Sequence, residues 1–331
     1  MSSNNSAIGM DVGTSRVVLA QKPGKEFTFK TQLNAFVRIP YSKITENVLK
    51  KEQVPYSIDS GELVVHGNES ERFADLLGRE TRRPMRAGLL NPGEPESEAQ
   101  MRQIFRSLLG SESGDGKRLF FSVPAPPLGA PDNTTYHEAT IRGMLSEMGY
   151  QVQPVSEGLA VVYGELEDSN YTGIGISCGG GLCNVCLAYL SVPVLNFSIS
   201  KAGDFIDSSA AQAAGELATR IRIVKESGFH FNGHYSDKVQ QVIGVYYEDM
   251  IQSLVNGIKE AFSAAKSVPK MGRPIPLVLS GGSVMPKGFL ERFERVMKSS
   301  EFPVPVSEIR LAKEPLHSTA RGTLFAALSE A

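Results

Sequence analysis

Short apolar runs bounded by glycine and polar turns alternate with longer stretches of helical period, which predicts a mixed α/β chain. Ala7 to Met10 and Val17 to Ala20 flank Asp11-Val12-Gly13-Thr14-Ser15, a strand, a short turn and a second strand. Residues 21 to 80 are weakly patterned, with short strands expected at Phe27 to Lys30 and Leu63 to His66, and suggest a small insertion lobe. Met101, Ile104, Phe105, Leu108 and Leu109 recur at i, i+3 and i+4, so a helix with one buried face is expected over Glu96 to Leu109. A surface loop at Gly110 to Gly116 follows. Then come a strand from Leu119 to Ala125 ended by proline, a helix from Thr135 to Met148 and a strand near Gln151 to Val155. The strand context of Phe120 and Phe121 places both in the core.

The centre of the chain is Ile174 to Leu187, where strand-forming residues flank Gly179, Gly180 and Gly181. Such a cluster suits a tight hairpin whose turn needs positive φ. It equally suits a loop whose successive N–H groups line an anion. Before it, Ser156 is placed to cap a helix running to Leu166, with Glu157 in the first turn. After it, Lys201-Ala202-Gly203-Asp204 opens a long helical stretch ending near Lys225-Glu226-Ser227-Gly228. A further helix is expected over Val245 to Ala265, with Tyr246, Met250, Leu254, Ile258 and Ala261 on one face. Pro276 to Ser283 is an apolar strand ending in a double glycine. It leads into a helix over Pro286 to Met297 with proline in its first turn, and a last helix spans Ser318 to Leu328.

Composition narrows the function. The 331 residues suffice for two domains, and a net charge of −2 gives no support to nucleic-acid or anionic-membrane binding. No apolar run approaches a membrane span, and Met1 to Ser6 is polar without a signal-peptide core, so a cytoplasmic protein is expected. Cys178, Cys183 and Cys186 stand as C-x4-C-x2-C, a ferredoxin-like beginning that lacks a fourth thiolate. Cys183 and Cys186 have opposite strand parity, which makes them buried apolar residues rather than ligands. His230 and His234 have helical spacing, yet no nearby cysteine or further histidine in the sequence completes a metal site.

The chemistry-bearing residues are the turns. Asp11 at a strand end, followed by Gly13, Thr14 and Ser15, is either an Asp-Gly hairpin turn or a seat for hydrated magnesium and a phosphate; magnesium needs only one or two carboxylates. Asp11-Val12-Gly13-Thr14, Ser177-Cys178-Gly179-Gly180-Gly181 and Ser280-Gly281-Gly282-Ser283 resemble, in order, the phosphate-one, phosphate-two and adenosine motifs of the actin, heat-shock-chaperone and sugar-kinase superfamily. Within it the chain is most similar to bacterial actins of the MreB type. Arg83-Pro84-Met85-Arg86-Ala87-Gly88 resembles their RPM-x-x-G segment, Ser156-Glu157 their E-P helix start, and Ala202-Gly203-Asp204 their G-G-D.

The resemblance implies an α/β, two-lobed actin-like (ribonuclease H-like) fold with a nucleotide cleft. Lobe I would span 1–150, with an insertion at about 29–76 and a C-terminal helix at about 317–331 packing back on it. Lobe II would span 151–316, with a subdomain at about 203–268. Asp11 would organise magnesium through water, and Glu157 would orient the attacking water. Gly13, Thr14, Ser15, Ser177, Gly179, Gly180, Gly181 and Gly203 would surround the phosphates. Gly281, Gly282 and Ser283 would lie against adenosine, with Lys225 and Glu226 holding the nucleoside. ATP or ADP with Mg2+ is the implied ligand, and self-association into filaments the implied assembly, with membrane contact through protein partners.

Departures bear on turnover. Ser177 stands where the motif begins with Asp, Leu182 replaces a Thr, Asn184 a later acid, and Gly158 the proline after the glutamate. Losing the second carboxylate predicts slow hydrolysis. It also keeps open a weakly polymerising nucleotide-binding adaptor that resembles FtsA or PilM.

Overall fold

A computed structural model describes residues 7–110, 113–231, 233–235, 237–265 and 272–330. The polar start Met1 to Ser6 and part of the loop expected at Gly110 to Gly116 lie outside the described residues.

Two five-stranded sheets of the same design carry the architecture. In the first, β1 (Ile8–Val12), β2 (Arg16–Gln21) and β3 (Thr28–Leu33) form an antiparallel meander, and β9 (Arg118–Val123) and β10 (Gln151–Ser156) continue it parallel to β1. In the second, β11 (Gly173–Cys178), β12 (Cys183–Tyr189) and β13 (Val192–Ile199) are the meander, and β14 (Ile275–Ser280) and β15 (Val306–Leu311) run parallel to β11. Both faces of each sheet are covered, and so the central strands are nearly continuous apolar runs.

Helices make three layers around these sheets. Outside the first lie α3 (Ser97–Leu109) and α4 (Thr134–Glu147), burying Met101, Ile104, Phe105 and Leu108 with Ile141, Met144 and Leu145. Outside the second lie α6 (Gly203–Ala214), α7 (Ala218–Ser227), α8 (Lys238–Ala264) and α9 (Phe289–Lys298). Between the sheets sit α5 (Glu157–Glu165) and α10 (Ser318–Ser329), in contact at backbone distance. A Cβ on Gly322 would fall 1.7 Å from the Ala160 carbonyl oxygen, so only glycine allows this approach. The insertion between β3 and α3 is a three-stranded sheet of β4 (Phe36–Pro40), β5 (Tyr56–Asp59) and β6 (Glu62–His66). It is backed by α1 (Lys43–Lys51) and α2 (Asn68–Leu76), and followed by the small hairpin β7 (Met85–Arg86) and β8 (Leu89–Leu90).

Several expectations are corrected. The helical stretch after Lys201 is two helices, broken where Gly215 turns left-handed at φ +73. The helix expected from Val245 starts at Lys238, capped by the Asp237 side chain, and buries Tyr247 rather than Tyr246. Pro286 precedes α9, which starts after Gly288, with a short 3-10 turn at Gly282–Val284. Ser156 does not cap α5 through its hydroxyl, which lies 3.1 Å from the Asn196 amide oxygen. Strand β10 belongs to the first sheet, so the second begins beyond it and not at residue 151. His230 and His234 lie in the non-helical segment between α7 and α8.

Candidate functional site

The β1–β2 turn and the β11–β12 turn lie at the ends of the two sheets that face each other, and the end of β14 joins them. A cavity of about 700 Å³ separates the lobes there. Asp11, Gly13, Thr14, Ser15, Glu157, Ser177, Gly179, Gly180, Gly181, Gly203, Lys225, Glu226, Gly281, Gly282 and Ser283 all line it. The structure therefore brings together residues as far apart in sequence as Asp11 and Ser283.

The glycines are needed for a different reason from the one their spacing suggests. None of Gly179, Gly180 and Gly181 adopts a left-handed φ. A Cβ on Gly180 would fall 2.1 Å from Ser15 Oγ, and one on Gly181 would fall 2.4 Å from Thr14 Oγ1 and 2.5 Å from the Gly88 nitrogen. The loop lacks side chains because the other lobe is against it. Gly203 N–H and Asp204 N–H donate to the Gly179 and Gly180 carbonyls at 3.1 and 2.7 Å, docking the start of α6 on the loop. Ser283 Oγ donates to Gly179 O at 2.8 Å, linking the third turn to the second. Of the glycines in the three turns, Gly281, at φ +92, is the one that uses the left-handed region.

Two carboxyl groups meet at the cavity floor. Asp11 Oδ1 accepts from Ser122 Oγ at 2.7 Å, and burial raises its pKa to about 6 against the lowering effect of that bond. Glu157 Oε2 accepts from Asn184 Nδ2 at 2.9 Å and Ser177 Oγ at 3.3 Å. Burial, then repulsion from Asp11, lifts its pKa to about 8, while both donors work the other way. Two mutually repelling carboxyls beside the glycine turns suit a cation bridged to an anion. Hard carboxylate oxygens with room for water fit hydrated magnesium carried by a phosphate. Among the described residues no group of three or more His, Cys, Asp or Glu offers an all-protein metal site.

At the other end, Lys225 Nζ sits 2.7 Å from Asp207 Oδ1 and donates to Gly203 O at 3.1 Å; both side chains are buried. Glu226 is bound by Arg16 at 2.8 Å. Two more pairs cross between lobes, Arg83 with Asp204 at 2.8 Å and Arg222 with Glu71. Sequence reasoning missed Ser122, Asp207 and Arg222. Ser122 alone carried a signal, as the polar residue in the otherwise apolar run Leu119 to Val123.

A family model described as Volactin matches residues 6–327. The chain belongs to the Volactin family. No curated protein matches it in sequence. Among solved structures, this Volactin-family chain is similar to the MamK double helical filament, at 18% identity and a TM-score of 0.72 over 97% of this chain and 98% of that one. It is also similar to MreB 5 of Spiroplasma citri bound to AMPPNP, at 13% identity and 0.68 over 96% and 94%. The ethanolamine utilization protein EutJ from Carboxydothermus hydrogenoformans matches at 17% identity and 0.56 over 97% and 90%. These likenesses establish a two-lobed, bacterial actin-like fold.

Proposed function

We propose that the chain binds ATP with magnesium in this cleft and assembles head to tail into cytoskeletal filaments, with slow hydrolysis. The observation that carries the reading is the convergence of three glycine turns, far apart in sequence, on one cavity between the lobes. Its backbone N–H groups would hold the phosphates. Asp11 would hold magnesium through water, which neutralises charge on the phosphates, and Glu157 would orient the attacking water. Gly281, Gly282 and Ser283 would flank the adenosine, and Lys225 and Glu226 would hold the nucleoside.

That MreB 5 is a structure with AMPPNP or ADP and MamK one of a filament supports both halves of the reading. No helix among the described residues is long and apolar enough to cross a membrane; the reading places the chain in the cytoplasm, with membrane contact made through an exposed apolar loop or a partner. Slow turnover is supported by Ser177, which brings a hydroxyl and no charge to the place of a second carboxylate. The same feature favours the second reading, an adaptor that binds nucleotide without polymerising.

Calorimetry with Mg-ATP, followed by negative-stain microscopy of the same sample, tests the proposal. Uptake with filaments supports the first reading. Uptake with no filament under any nucleotide leaves the adaptor, and no uptake refutes both.

A further inference from the structure

Asn184 stands where an acid would be expected, and its side chain is completely buried. Its amide is bonded at both ends. Oδ1 accepts from Ala125 N–H at 2.8 Å, and Nδ2 donates to Glu157 Oε2 at 2.9 Å. A backbone N–H can only donate, so the bond to Ala125 dictates which end of the amide faces Glu157. Ser177 Oγ adds a longer bond to the same carboxyl oxygen at 3.3 Å. Both donors take Oε2, which leaves Oε1 as the oxygen able to meet a water.

Ala125 belongs to the other lobe, in the segment that leaves β9. That segment is stitched to β13. Ala125 O accepts from Ser198 Oγ at 2.8 Å, Ser198 N–H donates to Pro126 O at 2.8 Å, and Leu128 N–H donates to Ser198 O at 2.9 Å. Ser198 in turn sits directly opposite Asn184 on the neighbouring strand. One buried chain of hydrogen bonds therefore runs from the seam between the lobes to one oxygen of Glu157.

We propose that Asn184 is a positioning residue that holds Glu157 in its water-orienting pose, and that it does so through the docking of residues 125–128 on β13. This deepens the reading of Glu157 given above and rests on it. In the reaction the water oxygen bonds to the terminal phosphorus as the bond to the ADP oxygen breaks. The water's proton leaves to solvent, so ATP and water give ADP, phosphate and a proton. Asn184 touches none of these atoms; it fixes the group that does. The replacement of acid by amide is then a working alternative rather than a loss.

The test measures single-turnover hydrolysis of Mg-ATP and calorimetric affinity for Mg-AMPPNP on the full chain. Asn184→Asp keeps the acceptor for Ala125 but removes the donor to Glu157. Hydrolysis should fall about tenfold or more with affinity within about threefold, because misplacing a catalytic group costs rate rather than ground-state binding. Ser177→Ala should cost less than about threefold. Ser198→Ala lies outside the cleft and loosens only the seam, and should slow hydrolysis about threefold to tenfold at unchanged affinity.

An Asn184→Asp variant that turns over as fast as wild type, or loses rate and affinity together, overturns the positioning role. A Ser198→Ala variant at full rate overturns the link to the seam. Wild type that binds AMPPNP but never hydrolyses ATP refutes the role of Glu157 itself, and with it that of Asn184.

Discussion

Replacing Glu157 by glutamine should stabilise the nucleotide-free protein while disabling hydrolysis. The carboxyl is buried, faces Asp11, and has its pKa lifted from 4.5 to about 8. A folded value above the unfolded one means that the native state binds the proton more tightly. This contribution to stability is complete below about pH 4.5 and is lost as pH rises towards 8. At pH 7 the ionised unfolded chain is favoured by about 3 kcal/mol, from roughly 1.4 kcal/mol per pH unit over the interval above 4.5. At pH 5 the same cost is only about 1 kcal/mol.

Glutamine keeps an acceptor for Asn184 and Ser177 and carries no charge, so it should recover most of this difference. The melting temperature should rise on the order of 5 °C at pH 7 to 8 and much less at pH 5. Differential scanning calorimetry of both proteins across that range checks it, and Mg-ATP turnover should drop about 100-fold or more. Equal melting of variant and wild type at both pH values would refute the idea that this carboxyl is desolvated and opposed by Asp11.

Three further outcomes follow from the packing. Gly181→Ala puts a methyl 2.4 Å from Thr14 Oγ1 and 2.5 Å from Gly88 N, so the lobes must part and Mg-ATP affinity should fall about tenfold or more by titration calorimetry. Gly322→Ala puts one 1.7 Å from Ala160 O between α5 and α10; unfolding in urea should show a loss of about 2 kcal/mol or more. Arg16 and Arg83 make partly exposed pairs with Glu226 and Asp204, each contributing about 1 kcal/mol or less. Replacing both by alanine should speed nucleotide release several-fold in stopped flow, and added salt should speed release from the wild type in the same direction.

Local pattern made the strand–turn–strand units legible, because alternating apolar runs ended by glycine have few other ways to fold. The buried face of α3 followed from helical period alone. The failures share a cause. Tyr246 and Tyr247 are both apolar enough for the core, and only the approach of Phe229 and Phe289 to Tyr247 selects one of them. Strand β10 joins the first sheet because β9 offers an open edge, a fact about a partner and not about residues 151–156.

By itself, the sequence determined the order of three polar glycine turns and the apolar strands that carry them, since both depend on neighbours a few residues away. Tertiary structure decided that the turns share one cavity, and that Gly180 and Gly181 answer to Ser15 and Thr14 rather than to their own φ angles. It also decided that Asn184 is bonded to Glu157. Those relations join atoms more than 20 residues apart, and the glycine contacts also cross between lobes, where only the packed backbone sets a distance.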